Sequence, residues 1–126
     1  MTAALTAALR ACAAGFYPSE AGTGLLIGHG GFLSRPDFGA FICTGTSITD
    51  GTTEMAEIDW HAVITALHDG HLPVSGGEHR ILRLAASIAA GVPVSLRDAI
   101  SGLDDRNLKL VTTAIRHAAG HRPPHP

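Results

Sequence analysis

The sequence has few charged and few aromatic residues. Asp, Glu, Lys and Arg make up 16% of its 126 residues, and Phe, Trp and Tyr make up 5%. An average soluble domain has roughly 25% charged residues, so we expect apolar area on the surface that a partner or a second copy could cover. With so few rings, the core must be built largely from small aliphatic side chains that pack closely.

Cysteine is also scarce. Cys12 and Cys43 form neither a CxxC motif nor a framework of secreted type, so we expect a reducing, cytoplasmic compartment. No apolar run approaches the about 18 residues of a membrane helix. Residues 1–15 lack the basic start and the continuous apolar stretch of a signal peptide. We therefore expect no membrane partner.

The formal net charge of −2 is too close to neutral to require nucleic acid or a membrane as ligand. The charge is unevenly distributed, however. Residues 1–72 carry two arginines and seven acids, whereas residues 73–126 carry seven basic residues and four acids. This asymmetry fits either a basic binding face or an attraction between the two halves within the fold.

Helical spacing of apolar residues, with a start signal at most segments, predicts an all-α fold. We expect a compact single-domain bundle of about six short helices over residues 1–120, followed by a disordered tail over residues 121–126. The clearest part is 75–119, which contains three helices in succession. Their start signals are Ser75 with Glu78, Ser95 with Asp98, and Asp104.

Residues 43–58 are the least regular part of the chain, with several threonines and an Asp50-Gly51 pair that favours a turn. We predict one irregular but ordered loop here, and a short hairpin is the alternative. A second unusual feature is a helix near residues 19–27 with Gly22, Gly24 and Gly28 along its surface. Glycine costs about 1 kcal/mol against alanine in a helix, so these residues indicate that another backbone comes very close.

Two tetrapeptides, SGGE (75–78) and SGLD (101–104), resemble the signature-motif helix and the loop after Walker B in ABC-type and SMC-type ATPases. That resemblance implies serine and glycine amides that bind a γ-phosphate at a helix N-terminus. The chain has no GxxxxGK[ST] loop to hold phosphate and magnesium, and no glutamate stands before SGLD. We therefore interpret both tetrapeptides as helix caps and helix ends.

The segment 84–103 resembles a helix-turn-helix DNA-binding motif, although Ala86 and Gly91 are five residues apart where the usual spacing is four. Basic residues on the last helices could contact a protein partner or the phosphates of nucleic acid. These candidates are Arg80, Arg83, Arg106, Lys109 and Arg116.

A polar site is a third hypothesis. His61 and His68 are seven residues apart and so share one helix face, close to several carboxylates. Such a group could bind zinc or perform acid–base chemistry, although no HExxH motif or Cys/His cluster is present. The candidate residues are Glu54, Glu57, Asp59, His61 and His68.

These observations lead to one main functional hypothesis and two alternatives. The chain is expected to be a small cytoplasmic binding or regulatory module that acts through protein–protein contact or self-association, without a cofactor. The first alternative is a DNA-associated regulator that uses the basic C-terminal helices. The second is a small enzyme or metal-binding protein with its site near residues 54–71. No catalytic residue is assigned, because no catalytic motif is complete.

Overall fold

Helices dominate the structure, a computed structural model that describes residues 2–121. Helical residues make up 61% of the part of the chain that the structure describes, and the strands there form one two-stranded sheet. In chain order the elements are α1 (Thr2–Ala13), α2 (Tyr17–His29), a 310 helix (Pro36–Phe41), β1 (Ile42–Thr46), β2 (Glu54–Ile58), α3 (Trp60–His68), α4 (Gly76–Ala90), α5 (Leu96–Ile100) and α6 (Asp105–Ala118). The prediction of a mostly helical fold is confirmed, whereas the prediction of an all-α fold is wrong.

The correction concerns residues 43–58, which form a hairpin instead of an irregular loop. β1 and β2 are antiparallel, from Ile42 opposite Ile58 to Thr46 opposite Glu54. The carboxylate of Asp50 closes the turn, since it accepts hydrogen bonds from the backbone N–H groups of residues 52 and 53. Bonds from the side chain and backbone of residue 53, and from the N–H of residue 52, lower the Asp50 pKa to about 2.

Side-chain burial explains why the hairpin is stable. Ala56 and Ile58 alternate with exposed Glu57 along β2 and are almost completely buried. β2 packs on α1, where Leu9 is also buried. The alternation of buried and exposed residues is the pattern of a strand that covers a core with one face, so the hairpin closes one side of the helical core.

α2 lies at the centre of the molecule and packs against α1, α4 and α6. Its approach to α4 depends on Gly22, where a Cβ atom would lie 2.7 Å from the carbonyl oxygen of Ala85 and would also meet Ala89. Gly24, in contrast, has open space around it. The close backbone approach expected from the glycines is therefore present at Gly22, but it joins two helices of the same chain.

The predicted helix starts are largely confirmed. At α4, Glu78 N donates to Ser75 Oγ at 3.2 Å and Ser75 N donates to Glu78 Oε1 at 2.9 Å, which completes a capping box. Asp104 accepts a bond from Asn107 N at 2.7 Å and caps α6. These local bonds satisfy N–H groups that a helix start leaves without a partner.

Three of the scarce aromatic residues pack against one another in one part of the core. The ring centroids of Phe32 and Phe38 are 5.6 Å apart, and those of Phe38 and Phe41 are 5.8 Å apart. Aliphatic residues of α2, α3 and α4 fill the rest. None of the helices within residues 2–121 combines the length and the apolar character needed to cross a membrane. Apart from His121, the predicted tail lies outside the part that the structure describes.

Candidate functional site

The five basic candidates lie on two helices, α4 and α6. Arg80 and Arg83 belong to α4 and line one cavity. Arg106 donates from Nη2 to the carbonyl oxygens of Gly28 and His29, at 3.2 and 2.9 Å, and so holds the C-terminal end of α2. Lys109 and Arg116 are exposed on α6. The structure therefore places two of the five on α4 and three on α6, and one of these three, Arg106, has a structural task.

The cavity next to Arg80 and Arg83 has a volume of about 460 Å³ and lies between α4 and the start of α5. His79 also lines it. Burial, and after it the positive charges of Arg83 and Arg80, lower the pKa of His79 below its usual value. The lowered pKa disfavours the charged form of the imidazole, so the two guanidinium groups supply the main positive charge of the cavity.

Three of the five polar candidates share a second, shallower cavity of about 280 Å³. Glu57, Asp59 and His61 line it together with Cys43. The Asp59 carboxylate caps α3 through a bond from Ala62 N at 3.1 Å, so a structural role already occupies it. Glu54 and His68 lie elsewhere, at the start of β2 and the end of α3.

Metal binding and thiol chemistry receive little support at this end of the molecule. Within residues 2–121, no three His, Cys, Asp or Glu side chains lie close enough together to hold a metal ion. Cys12 and Glu57 line a neighbouring cavity of about 210 Å³. Burial, and then the negative charge of Glu57, raise the pKa of Cys12, so Cys12 stays a thiol and is a poor nucleophile.

The outer face of α6 is a feature that the sequence analysis missed. Leu108 and Ile115 are 45% and 49% exposed, although they belong to an apolar helical pattern. They lie on one line with Thr112, because residues four and seven positions apart share a helix face. Lys109 and Arg116 directly follow the two apolar residues in the sequence. The result is an apolar stripe with two cations beside it.

Asn107 explains why this stripe was missed. The buried side of α6 contains Asn107, Val111 and Ala114, so a polar residue occupies a position where a leucine would be expected. Asn107 Oδ1 is buried without a hydrogen-bond partner among the residues that the structure describes. The buried face of the helix therefore runs through Asn107, Val111 and Ala114. Leu108 and Ile115 lie beside this face and are about half exposed.

Other large apolar side chains are exposed elsewhere. Ile48 is fully exposed at the tip of the hairpin, and Leu96 and Ile100 are about half exposed on α5. The expectation of apolar surface, which came from the low content of charged residues, agrees with these positions. None of the protein families, curated proteins or solved structures with which the chain was compared matches it.

Proposed function

We propose that this chain is a small cytoplasmic binding module that acts by associating with further copies of itself. The observation that carries the proposal is the outer face of α6, where Leu108 and Ile115 are half exposed beside Lys109 and Arg116. Apolar side chains on one line of a helix are typical of a contact surface, because association removes their apolar area from water.

A complementary surface lies on the hairpin. Ile48 is fully exposed at its tip, and Glu54 and Glu57 are exposed on opposite faces of β2, so both sides of the hairpin carry an acid. The hairpin packs on α1, whereas α6 packs on α2 and α4, so the two surfaces belong to different parts of the molecule. One surface offers apolar groups with cations and the other offers an apolar group with acids. Such complementarity favours encounter and selects the partner surface.

Within one copy, these charges do not pair with each other. Lys109 Nζ lies 3.1 Å from Asp105 Oδ2 on its own helix, and both groups are largely exposed. An exposed pair of this kind contributes at most about 1 kcal/mol, so Lys109 stays available. Arg116, Glu54 and Glu57 belong to no ion pair within residues 2–121.

The charges also favour one arrangement of the copies. If two α6 stripes packed on each other, Lys109 and Arg116 of one copy would approach the same cations of the other, and like charges repel. Contact between α6 of one copy and the hairpin of the next avoids this repulsion. Such a head-to-tail contact is heterologous and builds rings or open chains.

The cytoplasmic part of the proposal rests on the cysteines. Cys12 and Cys43 are both free and exposed. Exposed free thiols persist in a reducing compartment and are oxidised outside it. The two cysteines therefore support the cytoplasm as the location.

The two other hypotheses have less support. For the DNA-associated regulator, the basic residues are divided between α4 and α6, and Arg106 bonds to backbone carbonyls of α2. For the small enzyme, Glu57 and His61 share a cavity, but the third member of that group, Asp59, caps α3.

Sedimentation velocity over a range of protein concentrations and salt concentrations tests self-association. We expect association that increases with protein concentration and weakens with salt, because exposed charges are screened. The variant Leu108→Ser/Ile115→Ser should be monomeric. Its matched control, Leu96→Ser/Ile100→Ser, changes two equally exposed residues of α5 and should associate like the wild type.

Charge reversal gives a second and sharper test. Lys109→Glu/Arg116→Glu should not associate alone, and neither should Glu54→Lys/Glu57→Lys. A mixture of these two variants should associate again, because the reversed charges are complementary. Wild-type protein that stays monomeric at every concentration, or a mixture that stays dissociated, would contradict the proposal.

A further inference from the structure

The cavity between α4 and α5 carries an inference that is independent of self-association. It is lined by His79, Arg80 and Arg83 from α4 and by Ser95, Asp98 and Ala99 from the start of α5 and its cap. Its volume of about 460 Å³ lies within the range of small-molecule sites, roughly 300–1,000 Å³.

Arg80 lies beside two glycines. Its Nη1 atom lies 3.5 Å from the point where a Cβ of Gly76 would be, and its Nη2 atom lies 3.4 Å from the corresponding point of Gly102. Both distances are those of ordinary van der Waals contact, so the guanidinium group lies against both glycines. The two Ser-Gly motifs of the sequence, at 75–76 and 101–102, therefore meet around Arg80.

The two positive charges of Arg80 and Arg83 in the lining exceed the single negative charge of Asp98. Asp98 is the acid in the lining, and Arg97 Nε donates to it at 3.4 Å. Glu78, the other acid nearby in sequence, accepts the bond from Ser75 N that caps α4. Neither Arg80 nor Arg83 belongs to an ion pair within the described part of the chain.

We propose that this cavity binds the phosphate group of a small organic phosphate, with Arg80 and Arg83 as its ligands. Two guanidinium groups three residues apart on one helix face suit a phosphate dianion, because each can donate two parallel hydrogen bonds. Gly76 is the first residue of α4 and lines the cavity. Its N–H lies at the positive end of the helix dipole and adds to the attraction.

The remaining lining defines the rest of the ligand. Val94 and Ala99 are apolar and line the cavity together with the arginines. The volume exceeds what a bare phosphate ion occupies, so an organic group fits beside the apolar walls. A phosphate with an attached ring or chain therefore binds more tightly than inorganic phosphate.

Titration of 15N-labelled protein with inorganic phosphate and with phenyl phosphate, at constant ionic strength, tests this site by NMR. We expect saturable shifts of the Gly76, Gly77 and Ser95 amides, and tighter binding of phenyl phosphate. The variant Arg80→Gln/Arg83→Gln should bind at least tenfold more weakly. The control Arg10→Gln, which removes a positive charge outside the cavity at an exposed residue of α1, should bind like the wild type.

Two further measurements distinguish the cavity from general charge effects. Arg80→Lys/Arg83→Lys keeps the charge but loses the paired hydrogen bonds, and should bind phenyl phosphate several-fold more weakly than the wild type does. This variant tests the site if the glutamine variant fails to fold. Absence of saturable shifts with either phosphate would overturn the proposal. An equal loss in the control would also overturn it, and so would a duplex oligonucleotide that binds while phenyl phosphate does not.

Discussion

His117 Nε2 lies 2.7 Å from Glu20 Oε1 and joins the last turn of α6 to the first turn of α2. The two residues are 97 positions apart, and both side chains are largely buried. The other carboxylate oxygen, Oε2, accepts a bond from Gly15 N at 2.8 Å. One carboxylate therefore connects the end of α1, the start of α2 and the end of α6.

Removal of this carboxylate should destabilise the protein more than removal of its histidine partner. Glu20→Ala loses bonds to two segments and should lower the free energy of unfolding by about 2 kcal/mol, whereas His117→Ala should lower it by about 1 kcal/mol. Urea unfolding measures both values. Glu54→Ala, at an exposed acid, is the control and should stay within about 0.5 kcal/mol of the wild type. Equal effects of all three variants would contradict the role of Glu20.

Replacement of two glycines of α2 by alanine should change the stability of the protein in opposite directions. Gly22→Ala places a methyl group 2.7 Å from the backbone oxygen of Ala85 and should destabilise the fold by about 2–3 kcal/mol, because a packed backbone cannot yield. Gly24→Ala enters open space and should stabilise the helix by about 0.5–1 kcal/mol. Thermal or urea unfolding distinguishes the two. A destabilised Gly24→Ala variant would contradict the open space that surrounds Gly24.

Adjacent acids at the start of α6 should differ in importance. Asp104 accepts a bond from Asn107 N at 2.7 Å, whereas Asp105 pairs with Lys109 in solvent. Asp104→Ala should therefore cost about 1 kcal/mol, the usual value of a helix cap. Asp105→Ala should cost no more than about 0.5 kcal/mol. Circular dichroism during urea titration gives both values, and a larger loss from Asp105→Ala would reverse the assignment of the cap.

The stability should fall between neutral and mildly acidic pH because of His29. Burial, and then the charge of Arg106, lower the pKa of His29, although Glu78 and Asp104 nearby act in the opposite direction. A histidine with a lowered pKa in the folded state binds fewer protons than the unfolded chain does. Its contribution to stability is therefore complete above the unfolded pKa, about 6.5, and is lost as the pH falls below that value.

Unfolding free energies of the wild type and of His29→Gln, measured at several pH values, test this sign. The variant should show a smaller loss of stability between pH of about 7 and about 5. His79 also has a lowered pKa, so His29→Gln/His79→Gln should show a smaller loss still. Parallel pH profiles of variant and wild type would mean that other groups cause the dependence.

The helix starts could be predicted from sequence because capping is local. Ser75 and Glu78 are three residues apart, and their bonds need no knowledge of the rest of the chain. The hairpin could not be predicted with the same security, because the threonines around Asp50 suit a loop as well as a strand. The strand is favoured by the burial of Ala56 and Ile58 on the side that faces α1. This contact joins segments that are far apart in the sequence.

The candidate sites also depend on long-range contacts. Arg80 and Arg83 were identified as contact residues from their charge, but the cavity beside them exists because α5 returns to α4. Leu108 and Ile115 follow the helical spacing of apolar residues in α6, yet they are 45% and 49% exposed beside the buried Asn107. Self-association and phosphate binding remain predictions, because residue spacing alone does not determine what a surface binds.

The central position of α2 has a consequence for the order in which the protein can fold during synthesis. α2 emerges from the ribosome early, yet two of the helices that cover it, α4 and α6, are made later, and α6 ends only at Ala118. Until then, Leu25 and Leu26 have no complete cover. Chains that stop before α6 should therefore be insoluble or bound by chaperones, whereas chains that include α6 can bury these residues in one late step.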